Sequence, residues 1–159
     1  MESAAIRDHM YQELLKRVGE EQRRFGSGLQ PPATDEQLQL LVKNASRQLH
    51  TELPPEYLNF LRLTNGLDWN GVVIYASDTL PIVGHPDRFI HGIGEMNLNY
   101  REDPRFEDLL VIGSNGMDLY TYRISTGACE VYDEVPHELV ETVPTFDELI
   151  TKALARSLQ

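Results

Sequence analysis

Apolar residues recur at helical spacing through the first sixty or so residues and at strand spacing further on. Ile6, Met10, Leu14 and Val18 return every four residues, with Tyr11 and Leu15 widening the stripe, which predicts a helix over residues 4–25. Gly26-Ser27-Gly28 ends it, and Gln30-Pro31-Pro32 forms an extended connector. That connector fits either a detachable helical arm or an ordinary helix–helix link. Thr34-Asp35-Glu36-Gln37 has the capping-box pattern and opens a second helix. Leu38, Leu41, Val42, Ala45 and Leu49 give it an apolar side that fades near Thr51. Pro54 and Pro55 suit the start of a third helix, where a missing N–H costs nothing. Tyr57, Phe60, Leu61 and Thr64 share one face of it, and Asn65-Gly66 is expected to stop it, with Gly66 as a left-handed cap.

After Gly71 the period changes. Val72-Val73-Ile74-Tyr75 reads as a strand buried on both faces. Leu80-Pro81-Ile82-Val83 reads as a weaker strand, placed at an edge by Pro81. Residues 84–108 carry the least pattern; a short helix is expected around residues 94–101, ended by Asp103-Pro104. Leu109–Ile112 reads as a strand, Gly113-Ser114-Asn115-Gly116 as a turn and Met117–Ile124 as the next strand. Ser125-Thr126-Gly127 fits a three-residue hairpin loop, and residues 128–133 return as its partner. Thr145-Phe146-Asp147-Glu148 is a second capping box, opening a helix buried through Phe146, Leu149, Ile150 and Leu154. Helices, an antiparallel meander and a closing helix make an α+β fold. The expected sheet has about five to six strands, mainly antiparallel, with the C-terminal helix packed on it. The whole chain, residues 1–159, is expected to form one domain.

Composition narrows the function classes. The formal net charge is −11, so the surface repels nucleic-acid phosphates and anionic membranes and attracts basic proteins. Neither nucleic acid nor membrane is expected as a direct partner. With Cys129 as the one cysteine, no intramolecular disulfide can form. Met1–Asp8 lacks a basic start followed by an apolar run, so no signal peptide is read there. No stretch approaches the roughly 18 apolar residues of a membrane span. A cytoplasmic location is expected.

Reaction chemistry is not evident. His85 and His91, with Asp87 between them, fall short of the three or four ligands a metal needs. Cys129 sits on a predicted strand beside Glu130, which opposes a thiolate, and reads as a core side chain. Gly113–Gly116 lacks the lysine and following helix of a phosphate loop. Asp133 and Glu134 are adjacent on a strand and point to opposite faces, unlike an acid–base pair. No catalytic residue, cofactor or metal ligand is assigned.

Charge patterning offers more. Between Arg123 and Lys152 there is no Lys or Arg, while Glu130, Asp133, Glu134, Glu138, Glu141, Asp147 and Glu148 all fall in that span. The run is either a solvated rim or a docking surface for a basic partner. Trp69, between Asn65-Gly66 and Gly71, either anchors an interface or folds over the core.

Several of these segments together resemble the SUKH superfamily, which includes bacterial immunity proteins and a fungal regulator of cell-wall synthesis. Leu53-Pro54, Tyr57, Phe60-Leu61 and Asn65-Gly66 look like its opening helix, and Gly71–Tyr75 like its first strand. Val111–Gly116 looks like its glycine turn, and Ser125-Thr126-Gly127 through Val131-Tyr132 like its next hairpin. The resemblance covers residues 34–159, leaving residues 1–30 as a helical extension. It implies a binding module without catalysis: an immunity protein that neutralises a toxin by direct contact. The implied partner is a basic toxin domain such as a nuclease. A regulatory scaffold binding an endogenous protein is the alternative, and a small hydrolase a third. The expected partner-binding set is Glu130, Asp133, Glu134, Glu138, Glu141 and Trp69.

Overall fold

Side-chain capping sets where the helices begin. In this computed structural model, which describes the backbone of residues 2–159 and the side chains from Tyr11 onward, Thr34 Oγ1 accepts the Gln37 N–H at 3.1 Å. Gln37 Oε1 accepts the Thr34 N–H at 2.8 Å. The box starts α2 (Asp35–Asn44). A π-helical turn, Ala45–Leu49, continues it and ends at left-handed His50. The Arg101 guanidinium donates to the Leu49 carbonyl at 2.6 Å, a cation at a helix C-terminus. Leu38, Leu41, Ala45 and Leu49 are buried, but Val42 is exposed, one position off their row.

The first helix, α1 (Glu2–Arg24), is built into the core rather than detached from it. Tyr11, Leu15 and Val18 are buried, and the Tyr11 ring meets Phe60 edge-on at 5.8 Å. Ile6 and Met10, which belong to the same predicted stripe, lie outside the residues whose side chains are described.

Helix α3 (Pro55–Leu61) buries Tyr57, Phe60 and Leu61, as its apolar face requires. It stops four residues before Asn65-Gly66, so that pair is a latch rather than a cap. The Asn65 side chain donates to Ser77 Oγ at 2.9 Å and accepts the Ser77 N–H at 2.8 Å. Gly66, at φ +88°, has no room for a side chain: a Cβ would lie 2.9 Å from that of Ala76.

A six-stranded antiparallel sheet follows, in the order β1 (Leu67–Trp69), β2 (Val72–Ile74), β5 (Leu109–Ser114), β6 (Asp118–Arg123), β7 (Cys129–Asp133) and β8 (Leu139–Val143). A separate hairpin, β3 (Leu80–Ile82) and β4 (His85–Ile90), lies between β2 and α4 (Ile93–Tyr100) in the chain. Pro81 is tolerated because this sheet has two strands. Gln30 bonds its outer side, donating to the Pro81 carbonyl and accepting the Val83 N–H, both at 2.9 Å. The last helix, α5 (Phe146–Ser157), begins with Thr145 Oγ1 accepting the Glu148 N–H. It buries Phe146, Leu149, Ile150, Ala153 and Leu154 between the sheet and α1. The fold is α+β.

β5 is buried along Leu109–Gly113. β2 pairs only with Ser114 and Gly113, so the same side of β5 at Val111 needs another partner. Asn97 of α4, fully buried, supplies it: Oδ1 accepts the Val111 N–H at 2.7 Å and Nδ2 donates to the Val111 carbonyl at 2.9 Å. The side-chain amide thus replaces one residue of a strand. Tyr57 similarly reaches from α3 to donate its hydroxyl to the Tyr75 carbonyl at 2.6 Å.

Candidate protein-binding surface

Strands β7 and β8 and the loop between them carry most of the acidic run, and pairing sorts its members. Glu130 lies opposite Thr121 on β6, with Arg123 two residues further along that strand. Its carboxylate accepts the Arg123 Nε–H at 2.9 Å, and Glu130 is only 9% exposed. Arg123 also reaches Asp108 and the Tyr132 hydroxyl. Glu130 is therefore enclosed in a network on the sheet, away from the open rim. Glu141 is exposed but bonds Lys152 of α5 at 2.9 Å. Asp147 and Glu148 are half-buried in the first turn of α5, where the helix dipole favours them.

Asp133, Glu134 and Glu138 take part in no ion pair among the described residues. Glu134 and Glu138 are exposed and Asp133 half-buried. Their loop is pinned at its base. The Asp133 N–H donates to the Glu138 carbonyl at 2.8 Å, and the Glu134 N–H to the Met117 carbonyl at 2.9 Å. His137, at φ +74°, stacks on Tyr132 with ring centroids 4.8 Å apart and lies 4.6 Å from the Phe106 ring. Burial and then the charge of Arg105 pull the His137 pKa below the usual imidazole value, keeping this stack neutral. Arg105 also donates to the Pro136 carbonyl at 3.2 Å. The Glu134 carboxylate is close enough to raise the pKa of Tyr75 and of Tyr100, after burial as the main cause.

Among these carboxylates stand apolar side chains that the sequence did not single out. Val135 is 87% exposed, Leu139 51%, Val140 53% and Met117, one turn away, 69%. Exposed apolar residues set beside exposed charged groups have the composition of a protein-docking patch; Glu134 and Glu138 lie next to Val135 and Leu139 in the chain, and Lys152 and Arg156 border Val140. The available signal was Val135, Leu139 and Val140 standing inside a carboxylate run with no cation. The alternation across the Ser125–Gly127 hairpin likewise sets Glu130 beside Arg123.

Trp69 is elsewhere. It is the last residue of β1, half-buried, with its ring 5.7 Å from Phe25 and its indole N–H bonded to Glu21 at 3.2 Å. It joins the sheet edge to α1. His85 is half-buried on β4, and His91 lies 4.0 Å from the Glu95 carboxylate. Among the described residues no cluster of three His, Cys, Asp or Glu side chains could hold a metal. A groove of about 460 Å³ between α2 and α4 is lined by Leu40, Gln48, Leu98 and Asn99, with Asp78 and Glu95 as its charged groups. No helix is long and apolar enough to cross a membrane among the described residues.

Cys129 is buried on β7 with its thiol pushed up to about 11, first by burial and then by the carboxylates of Glu56, Glu130 and Asp147. The native protein is expected to resist iodoacetamide at pH 8 over hours and to react stoichiometrically in 6 M guanidinium, conditions chosen to contrast buried and exposed thiol. Fast native labelling, read by mass spectrometry, would contradict the buried neutral thiol.

Helices around an antiparallel sheet, with charged and apolar residues of one hairpin turned to solvent, make an α+β scaffold whose candidate binding groups stand outside its core. The chain belongs to the SMI1 / KNR4 family (SUKH-1), whose model matches residues 32–152. SUKH proteins are known as immunity proteins or cell-wall regulators, and the family is in general non-catalytic. Comparison with curated protein sequences gives no match.

Proposed function

We propose that this chain is an immunity protein that neutralises a basic toxin domain, such as a nuclease, by stoichiometric binding in the cytoplasm. The observation that carries the reading is the β7–β8 hairpin. Glu134 and Glu138, exposed and in no ion pair among the described residues, adjoin the exposed Val135 and Leu139 in the chain, with the exposed Val140 next along β8. Long-range attraction from the net charge of −11 speeds encounter with a basic protein. The apolar side chains then supply contact area that desolvates on docking. Asp133 and Glu141 border the patch, whereas Glu130 and Trp69 support the scaffold. Family membership agrees with this reading and with cell-wall regulation; the acidic hairpin favours a basic partner.

The test uses a basic nuclease toxin domain, sought first among the genes adjoining this one. Co-expression with the native chain should restore growth. The double variant Glu134→Lys with Glu138→Lys should bind about 10- to 100-fold more weakly at low salt, with the loss concentrated in the association rate. Raising the salt should narrow that gap. Unchanged affinity would remove the hairpin from the interface. Failure of the native chain to bind or rescue would overturn the immunity reading.

A further inference from the structure

β8 ends the sheet order, so one side of its backbone faces no strand. Residues 139–142 are all exposed. The bond from the Asp133 N–H to the Glu138 carbonyl fixes the alternation that follows. Glu138 faces β7, so Leu139 turns its N–H and carbonyl outward. The register shift between Val131 and Tyr132 places an extra residue in β8. Thr142, opposite Glu130, then turns outward again. The outer edge offers two sets of backbone donors and acceptors, at Leu139 and Thr142, flanked by the exposed Leu139 and Val140 side chains.

We infer that the toxin partner docks by adding an extended, basic strand to the open edge of β8. The inference rests on the immunity reading and specifies how contact is made. Edge strands are commonly protected against pairing by charge and by bulges, and β8 has both. Here the charge within the segment is of one sign: Glu141 on β8, Glu138 immediately before it and Glu134 in the preceding loop, with no Lys or Arg from residue 124 to 151, while Lys152 and Arg156 of α5 lie at the Val140–Glu141 end. A second copy of the chain would bring the same carboxylates to the same edge and be repelled. A strand carrying Lys or Arg at alternate positions meets complementary charge and gains the backbone hydrogen bonds that a side-chain patch alone does not offer. Glu141, already neutralised by Lys152, marks the end of the strand nearer α5. Glu134 and Glu138 mark the end where the attraction is strongest.

The test is amide hydrogen exchange of the full chain, free and bound to a catalytically inactive form of the toxin domain that the co-expression experiment pairs with it. Exchange at the Leu139 and Thr142 amides is expected to slow by about tenfold or more on binding. Thr142→Pro removes one outward N–H at an edge position where proline is compatible with the sheet. It should weaken binding by about tenfold or more without altering the charge that drives encounter. Unchanged exchange at both amides overturns strand addition even if Thr142→Pro fails to fold. Equal affinity of a folded Thr142→Pro does the same. Either result, obtained with the native chain still bound and Glu134→Lys/Glu138→Lys still weakened, leaves the immunity reading intact. Absence of binding by the native chain overturns both.

Discussion

Gly113→Ala is expected to destabilise the protein by about 3 kcal/mol or more, a drop in Tm of about 6–12 °C for a chain of this size. The cause is space. Gly113 is paired with Ile74 of β2 on one side and Tyr120 of β6 on the other. A Cβ there would lie 2.1 Å from the Val73 carbonyl oxygen and 3.1 Å from the Ile74 Cα. Both are backbone atoms of a paired strand, so relief requires β2 to move away from β5. That movement would open the seam on which β1 and β2 depend. Gly94→Ala is the control. Its Cβ would meet only the Gln48 Oε1 at 3.8 Å, inside α4, and helix propensity favours alanine there by about 0.5–1 kcal/mol. Thermal unfolding of the two variants should move in opposite directions. Equal shifts would show that β2 has slack the structure does not display.

Asn97→Ala is expected to cost about 2–5 kcal/mol, read by urea unfolding at constant pH. The substitution leaves the N–H and carbonyl of Val111 without their amide partner in a buried site and opens a void beside β5. Asn97→Leu should fare little better, because volume is restored but the two backbone groups stay unsatisfied. Asn97→Asp separates the two roles. A carboxylate still accepts from the Val111 N–H but faces the Val111 carbonyl without a proton to donate. Its stability should rise as pH falls, because a protonated acid regains the donor. Its folded-state pKa is raised, so the bond is present below the unfolded pKa and lost as pH rises through the folded value. A pH-independent deficit would show that the amide acts only as filler.

Much of the scaffold was legible in the sequence because its signals are local. Two threonine caps, the two-residue period of β6 and the glycine of the Ser125–Gly127 loop each specify geometry within a few residues. Three strands carried no such signal. β1 has three residues, including Asp68; β4 contains His85, Pro86, Asp87 and Arg88; and four of the five residues of β8 are exposed. Such strands are held by backbone pairing more than by burial, so they leave little hydrophobic pattern. The end of α3 was misplaced for a related reason: Asn65 and Gly66 are fixed by contacts with Ser77 and Ala76, ten or more residues on.

The candidate surface was legible as charge but not as shape. Counting carboxylates identified the segment, yet it treated Glu130, Glu134 and Glu141 alike. Strand register separates them: one is enclosed with Arg123, one reaches solvent and one is tied to α5. Trp69 shows the converse. An aromatic in a turn-like stretch invites an interface role, but Glu21 and Phe25, distant in sequence, hold one side of the half-buried ring.

The recognisable family segment and the folding unit have different boundaries. The match begins at residue 32, whereas Tyr11, Leu15 and Val18 already contribute to the core. A chain begun at residue 32 would strip the cover from Phe60 and from one flank of α5 and remove the hydrogen bond that anchors Trp69. Gln30, which binds the outer side of β3, would be lost too. Transplanting this module between proteins therefore means carrying its first helix along, since that helix serves as an inside wall of the building rather than its porch.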